Sequence, residues 1–200
     1  MIFQKKYGVL IVIFFALASC TLLPSVQDES DKTYELNTLP LTALKKSTHP
    51  KILLVTQPQE SPMNGTTRMV YTKTPYQVAY FTNNRWVEKP TSMLRKLIIQ
   101  SLQNTGYFQA VISPMVAGHA DLMLNTQLLE LRQDFSKYPS QVRLVMAAQL
   151  IEMMDNTIIA AREFSVNEIA PQESPYGGVV AANRAVAEML KQLVSFCTEG

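Results

Sequence analysis

Three long stretches near the end of the chain, residues 121–134, 141–153 and 157–167, alternate over part of their length, with β-branched and apolar residues on alternate positions. That period of two fits strands half-buried against a core. The links are short. Residues 136–140 close the first pair, and Met154-Asp155-Asn156-Thr157 supplies a tight hairpin turn for the second. The pattern predicts a three-stranded antiparallel meander. After a loop at 171–178, residues 179–196 change period. Val179, Asn183, Val186, Leu190, Leu193 and Val194 fall near one helical stripe, and Ala181, Ala182, Ala185 and Ala187 allow close approach to a sheet.

The first half is organised around residues 76–106. Residues 76–82 alternate as a strand, and Asn83-Asn84 reads as a turn ahead of the chain's only tryptophan, Trp86. Pro90 precedes Thr91, a candidate N-cap, and Leu94, Leu97, Ile98, Ser101 and Leu102 then recur at helical spacing. Gly106 stands where a helix C′ glycine belongs. Further strands are predicted at 34–36, 51–57, 68–72 and 107–112, with 58–66 a loop marked by Pro62 and Asn64-Gly65. Strands, a helix, a meander and a second helix make an α+β fold. The expected form is a two-layer sandwich: a mainly antiparallel sheet with two amphipathic helices on one face.

The N-terminus carries a different signal. Lys5 and Lys6 precede an apolar run of twelve residues, 7–18. That is short of the roughly 20 residues a membrane-spanning helix needs and fits a signal-peptide core. It ends in Leu17-Ala18-Ser19-Cys20, which resembles the bacterial lipobox. The expectation is cleavage between Ser19 and Cys20 and lipidation of Cys20, with palmitate among the acyl chains. Residues 1–19 are then a lipoprotein signal peptide, 20–33 the lipidated cysteine with a flexible tether, and 34–200 the folded domain. Thr21 stands where an aspartate resembles an inner-membrane retention signal, so the outer membrane, facing the periplasm, is the expected location. Loss of Lys5 and Lys6 leaves sixteen basic side chains against sixteen acidic ones, which gives no electrostatic footing for nucleic acid.

No catalytic motif is present. The chain has no G-x-S-x-G, P-loop or H-E-x-x-H. His49 and His119 stand apart from each other and from the cysteines, and Glu130, Asp134, Glu152 and Glu163 fall on strands where alternation points them to solvent. No cofactor, metal site or catalytic residue is expected. Met115, Met123, Met146, Met153 and Met154 read first as core filler and second as an adaptable surface for acyl chains. Residues 141–153 carry Val142, Leu144, Met146, Ala148 and Leu150 on one face, but also Val145, Ala147 and Ile151 on the other. With one helix layer available, that second face suggests a homo-oligomer.

Arg85-Trp86-Val87-Glu88-Lys89-Pro90, the helix ending Thr105-Gly106-Tyr107-Phe108, and Val111 together resemble the auxiliary lipoprotein component of ABC-type transport systems. Arg68-Met69-Val70-Tyr71, Tyr80-Phe81 and Ala181-Ala182-Asn183-Arg184-Ala185 match its paired strands and closing helix, so the resemblance spans about residues 34–197. It implies a non-enzymatic partner of an inner-membrane ATPase and permease and of a periplasmic mammalian-cell-entry (MCE) type protein, with phospholipid or another hydrophobic molecule as cargo. Arg85, Trp86, Glu88 and Pro90 are the motif residues. Trp86 reads either as an interface hot spot or as a plug between helix and sheet, and its place beside a helix start favours the plug. Two other classes fit the same layout: an outer-membrane assembly lipoprotein that plugs a barrel or pilots a secretin, and a lipid-anchored hydrolase.

Overall fold

A computed structural model describes residues 30–41, 51–114 and 118–199. The chain divides after Ser30, and the unit from Asp31 onward holds the fold. The expected signal peptide, Ser19, Cys20, His49 and Met115 lie outside the described residues.

The spine is β7 (Leu122–Asp134), a 13-residue strand. Along one edge it pairs antiparallel with β8 (Gln141–Glu152), which pairs antiparallel with β9 (Thr157–Ile169). This is the meander that the alternation predicts. Along the other edge, three short strands pair with β7 in succession, all parallel. They are β2 (Ile52–Val55) at Leu122 to Leu124, β3 (Gln59–Glu60) at Gln127 and Leu128, and β4 (Arg68–Thr72) at Gln133 and Asp134. β6 (Ala110–Ile112) adds parallel to β2. β5 (Ala79–Trp86) adds antiparallel to β4, and β1 (Lys32–Tyr34) adds parallel to β5. The sheet is therefore mixed: its long ladders are antiparallel and most of its short ones parallel. Parallel neighbours reach each other through crossovers. Helix α1 (Pro90–Asn104) carries the chain from β5 to β6, which lies beyond β2 in the strand order.

Helix α2 (Pro175–Glu199) packs on β8 and β9, and α1 packs on β2, β6 and α2. Both contribute to one apolar core with the inward side chains of the sheet, including Leu53, Leu124, Leu128, Leu144, Met146 and Leu150. The α+β class with two helices on one face stands.

Several local expectations are corrected. Asn83-Asn84 is not a turn but lies within β5, because ladder pairing with β4 on one side and β1 on the other overrides the turn preference of two asparagines. The strand begins at Ala79 rather than Tyr76, whose backbone is left-handed at φ 68°. Thr91 does not cap α1; Lys89 does, and Pro90 occupies the first helical position, where its missing N–H costs nothing. The short first strand is Lys32–Tyr34 rather than 34–36, so order begins inside the stretch expected to be tether. The loop at 58–66 holds β3 and a short 3-10 turn at Pro62–Asn64, and α2 starts at Pro175 rather than after Gly178. On β8, Val145 and Ile151 are buried within the chain itself, so no second subunit is needed to cover them. Of the methionines expected to be adaptable, Met146 is fully buried and Met154 is 92% exposed.

Candidate functional site

The R-W-V-E-K-P stretch lies where the N-terminal segment is fastened to the body. Its residues are each engaged in a different way. Arg85 bonds Asp31 at 2.5 Å, joining the first residue of the folded unit to β5. Both side chains are about half exposed, so this pair adds little stability. Trp86 is 4% exposed and belongs to the core. Its backbone is opposite Tyr34, and the Val87 N–H donates to the Tyr34 carbonyl at 2.7 Å. Glu88 reaches forward to Lys96 on α1 at 2.5 Å. Lys89 and Thr91 both turn to Glu60 of β3, at 3.1 Å each. Pro90 then opens the helix. The motif thus leads from strand β5 into helix α1 while pinning β1 on one side and β3 on the other.

Beyond β1 the chain crosses the helices. Leu36 is buried, and its N–H points to the Met93 sulfur at 3.3 Å. Asn183, on α2, holds the next residues with its side-chain amide. Its Oδ1 accepts from the Asn37 N–H at 2.9 Å, the Thr38 hydroxyl at 3.1 Å and the Thr38 N–H at 3.3 Å. Its Nδ2 donates to the carbonyls of Glu35 and Val179, each at 3.1 Å. One amide thereby ties a segment near the start of the fold to the helix that ends it. The signal for this was present in sequence: Asn183 interrupts an apolar stripe, and a polar group placed there needs partners. Its partners, backbone groups 145–148 positions away, were not deducible.

Beside this seam is an open cleft of about 650 Å³, lined by Tyr34, Glu35, Thr38, Val87, Tyr176, Val180, Asn183 and Arg184 among others. The Tyr34 and Tyr176 rings meet across it at 6.2 Å, and the Tyr34 hydroxyl donates to Asn84 at 3.2 Å. The lining offers hydrogen bonds and apolar contact but no nucleophile–base pair. Among the described residues no cluster of three or more His, Cys, Asp or Glu is arranged to hold a metal ion. His119 is exposed, 3.9 Å from Asp121. Glu130 is engaged by Arg132 at 2.6 Å and Arg143 at 3.3 Å on the outer sheet face. Cys197 is a free, buried thiol, and burial pushes its pKa up to about 12, far from a reactive thiolate. No helix among the described residues is long and apolar enough to cross a membrane.

A mixed sheet under two helices, with its N-terminal segment strapped across them, defines a class of small α+β domain held by its N-terminal end. The model of the ABC-type transport auxiliary lipoprotein component matches residues 34–194, and the chain belongs to that family. It is therefore a lipoprotein of the cell envelope associated with ABC-type transport. Among solved structures, protein XCC0632 from Xanthomonas campestris, of family DUF330, is similar in fold. It shares 17% identity, covers 84% of this chain and 95% of its own, and superposes with a TM-score of 0.77. A second crystal structure, of an uncharacterized protein, shares 15% identity over 84% of this chain and 99% of its own, with a TM-score of 0.68. No curated protein matches the sequence.

Proposed function

We propose that this chain is a non-catalytic, outer-membrane-anchored subunit of an ABC-driven, MCE-type transport system that moves phospholipid or another hydrophobic molecule across the periplasm. Cleavage before Cys20 and acylation of its thiol supply the anchor. The folded domain supplies the docking surface, and the ATPase of the inner membrane supplies the energy. The observation that carries this reading is the family match together with the seam at Arg85–Pro90 and Asn183. The match spans nearly the whole folded unit, and the motif within it is spent on fastening the N-terminal segment rather than on chemistry. A body strapped to its N-terminal segment resists detachment when a partner pulls on it.

The test is affinity capture and crosslinking of the native lipoprotein from membranes, read by mass spectrometry for proteins and lipids together. The proposal expects an MCE-type protein, with permease and ATPase, and phospholipid. Recovery of a barrel or secretin without any MCE protein would move the chain to the assembly class. The anchor is tested separately: Cys20→Ser should lose the acyl mass and release the chain from the membrane fraction.

A further inference from the structure

The two ends of the sheet differ. At the end where β7 finishes, the β4–β5 turn (residues 73–78) and the β7–β8 loop (residues 135–140) lie side by side, since Thr72 is paired with Asp134 and the Phe135 N–H donates to the Thr72 carbonyl at 2.8 Å. An aromatic cluster of Tyr71, Phe81 and Phe135 holds their bases together, with ring centroids 4.5 to 6.3 Å apart. The tips are another matter. Tyr76 is fully exposed and Tyr138 is 88% exposed, with Val78 and Ile169 also open to solvent. The two tyrosine rings bury almost no surface in the fold. Tyr76 moreover stands in a left-handed backbone conformation that is unfavourable for a bulky residue and suits glycine or asparagine. Lys73 and Lys137 are exposed on the same two tips. The nearby carboxylates Asp134 and Glu173 are engaged by backbone and hydroxyl donors: Asp134 accepts from the Ser136 N–H at 2.9 Å and hydroxyl at 2.6 Å, and Glu173, from the β9–α2 loop, accepts from the Ser140 N–H at 2.8 Å. The row spans β5 to β9, four strand spacings or roughly 19 Å.

Where the chain enters decides the occupant. β1 is parallel to β5, and β5 runs away from this end, so the start of β1 faces it. Lys32 is opposite Asn84, five positions along β5 from Ala79, or roughly 17 Å below the turn. The twelve residues from Cys20 to Lys32 reach roughly 40 Å when extended, enough to bring the tips to a bilayer that holds Cys20. Tyrosines with an apolar ring and a polar tip, beside lysines, are the side chains that settle at the headgroup level of a membrane.

We infer that the tyrosine-tipped end of the sheet, carrying Tyr76 and Tyr138, is a membrane-docking surface that seats the domain on the phospholipid headgroups of the bilayer anchoring Cys20. This rests on the anchor reading above. The opposite end, with the β8–β9 hairpin and exposed Met154, Ile158 and Ile159, then faces away from the membrane.

The acylated full chain, reconstituted in phosphatidylethanolamine–phosphatidylglycerol vesicles, tests this. A fluorophore is placed on Gln77→Cys, Lys137→Cys or Met154→Cys and read against nitroxide-labelled headgroups; buried Cys197 stays unlabelled in the folded protein. The expected result is loss of most fluorescence at 77 and 137, retention at 154, and recovery at 137 when Tyr76→Ser and Tyr138→Ser are added. Stronger quenching at 154, or none at any position in a chain that floats with the vesicles and carries its acyl mass, overturns the docking surface alone and points the tyrosines to a protein partner. A chain without acyl mass that stays at the bottom of the gradient overturns the anchor and the docking surface together.

Discussion

Asn183→Ala tests whether the clamp holds the N-terminal segment. The side chain makes five contacts to residues 35–38 and Val179, of which the 3.3 Å approach from Thr38 is the weakest. A net hydrogen bond contributes about 0.5–1.5 kcal/mol, and a partly exposed one sits at the low end because water replaces it. With the bond to Val179 inside α2 also left out, three effective bonds hold the segment and give about 1.5 kcal/mol at that end. The loss should be local, since the core beneath loses no apolar contact. Amide exchange at Asn37 and Thr38 should then accelerate by roughly 12-fold, the factor equivalent to about 1.5 kcal/mol, while amides in β8 keep their protection. Asn183→Asp should cost at least as much, because it keeps the acceptor but turns a carboxylate toward the carbonyls of Glu35 and Val179. Native-state hydrogen exchange followed by NMR reads both. If Asn37 and Thr38 exchange in Asn183→Ala at the wild-type rate, β1 pairing and the burial of Leu36 hold the segment alone, and the clamp argument is wrong.

Three further outcomes follow from the packing. Trp86→Ala should lower stability by about 3–5 kcal/mol, read as a shifted urea midpoint, because the ring is in the core; an unchanged midpoint with lost partner binding would make it a surface hot spot. Gly178→Ala should cost about 1–3 kcal/mol, since a Cβ there runs into the side-chain amide of buried Gln133, and Gln133→Ala in the same chain should recover part of that loss in a double-mutant cycle. Cys197 titrates in the unfolded chain near its ordinary value of 9.0 but in the folded one only near 12, so the unfolded state loses the proton first. Stability should therefore fall by about 1.4 kcal/mol per pH unit above 9, and the difference between wild type and Cys197→Ala in urea titrations should show that slope.

The parts of the fold that were legible are those whose pattern is local and long. The meander strands are 12 or 13 residues long and keep a period of two over much of that length, broken at the register shifts near Leu128 and Leu150, and the pairing is set by which face is buried. The two helices show their stripes in the same way, and the left-handed backbone of Gly106 bears out its reading as a C′ residue. What failed is short or non-local. β3 has two residues and no pattern to read. β1 is an exposed edge with little to bury, so its sequence looks like linker. The successive parallel docking of β2, β3 and β4 along β7 depends on partners 60 to 70 positions distant, which no window contains. At the candidate site, Arg85, Trp86, Glu88 and Pro90 were found because they are consecutive. Asp31 as the partner of Arg85, Glu60 as the partner of Lys89 and Thr91, and Asn183 as the clamp on residues 35–38 were missed because each comes from a different element.

The same distribution explains why the motif sits where it does. An anchored domain must transmit any pull on its N-terminus into its core without opening, and an edge strand alone peels one hydrogen bond at a time. Here β1 is three residues long, too short to resist by itself. The chain compensates by following it at once with a buried leucine and an amide clamp on a 25-residue helix. Trp86, opposite Tyr34, fixes the neighbouring strand to the core at the same level. The pull is thereby spread over β5, α1 and α2 rather than borne by one edge, and the arrangement needs both ends of the folded unit to be complete before it forms.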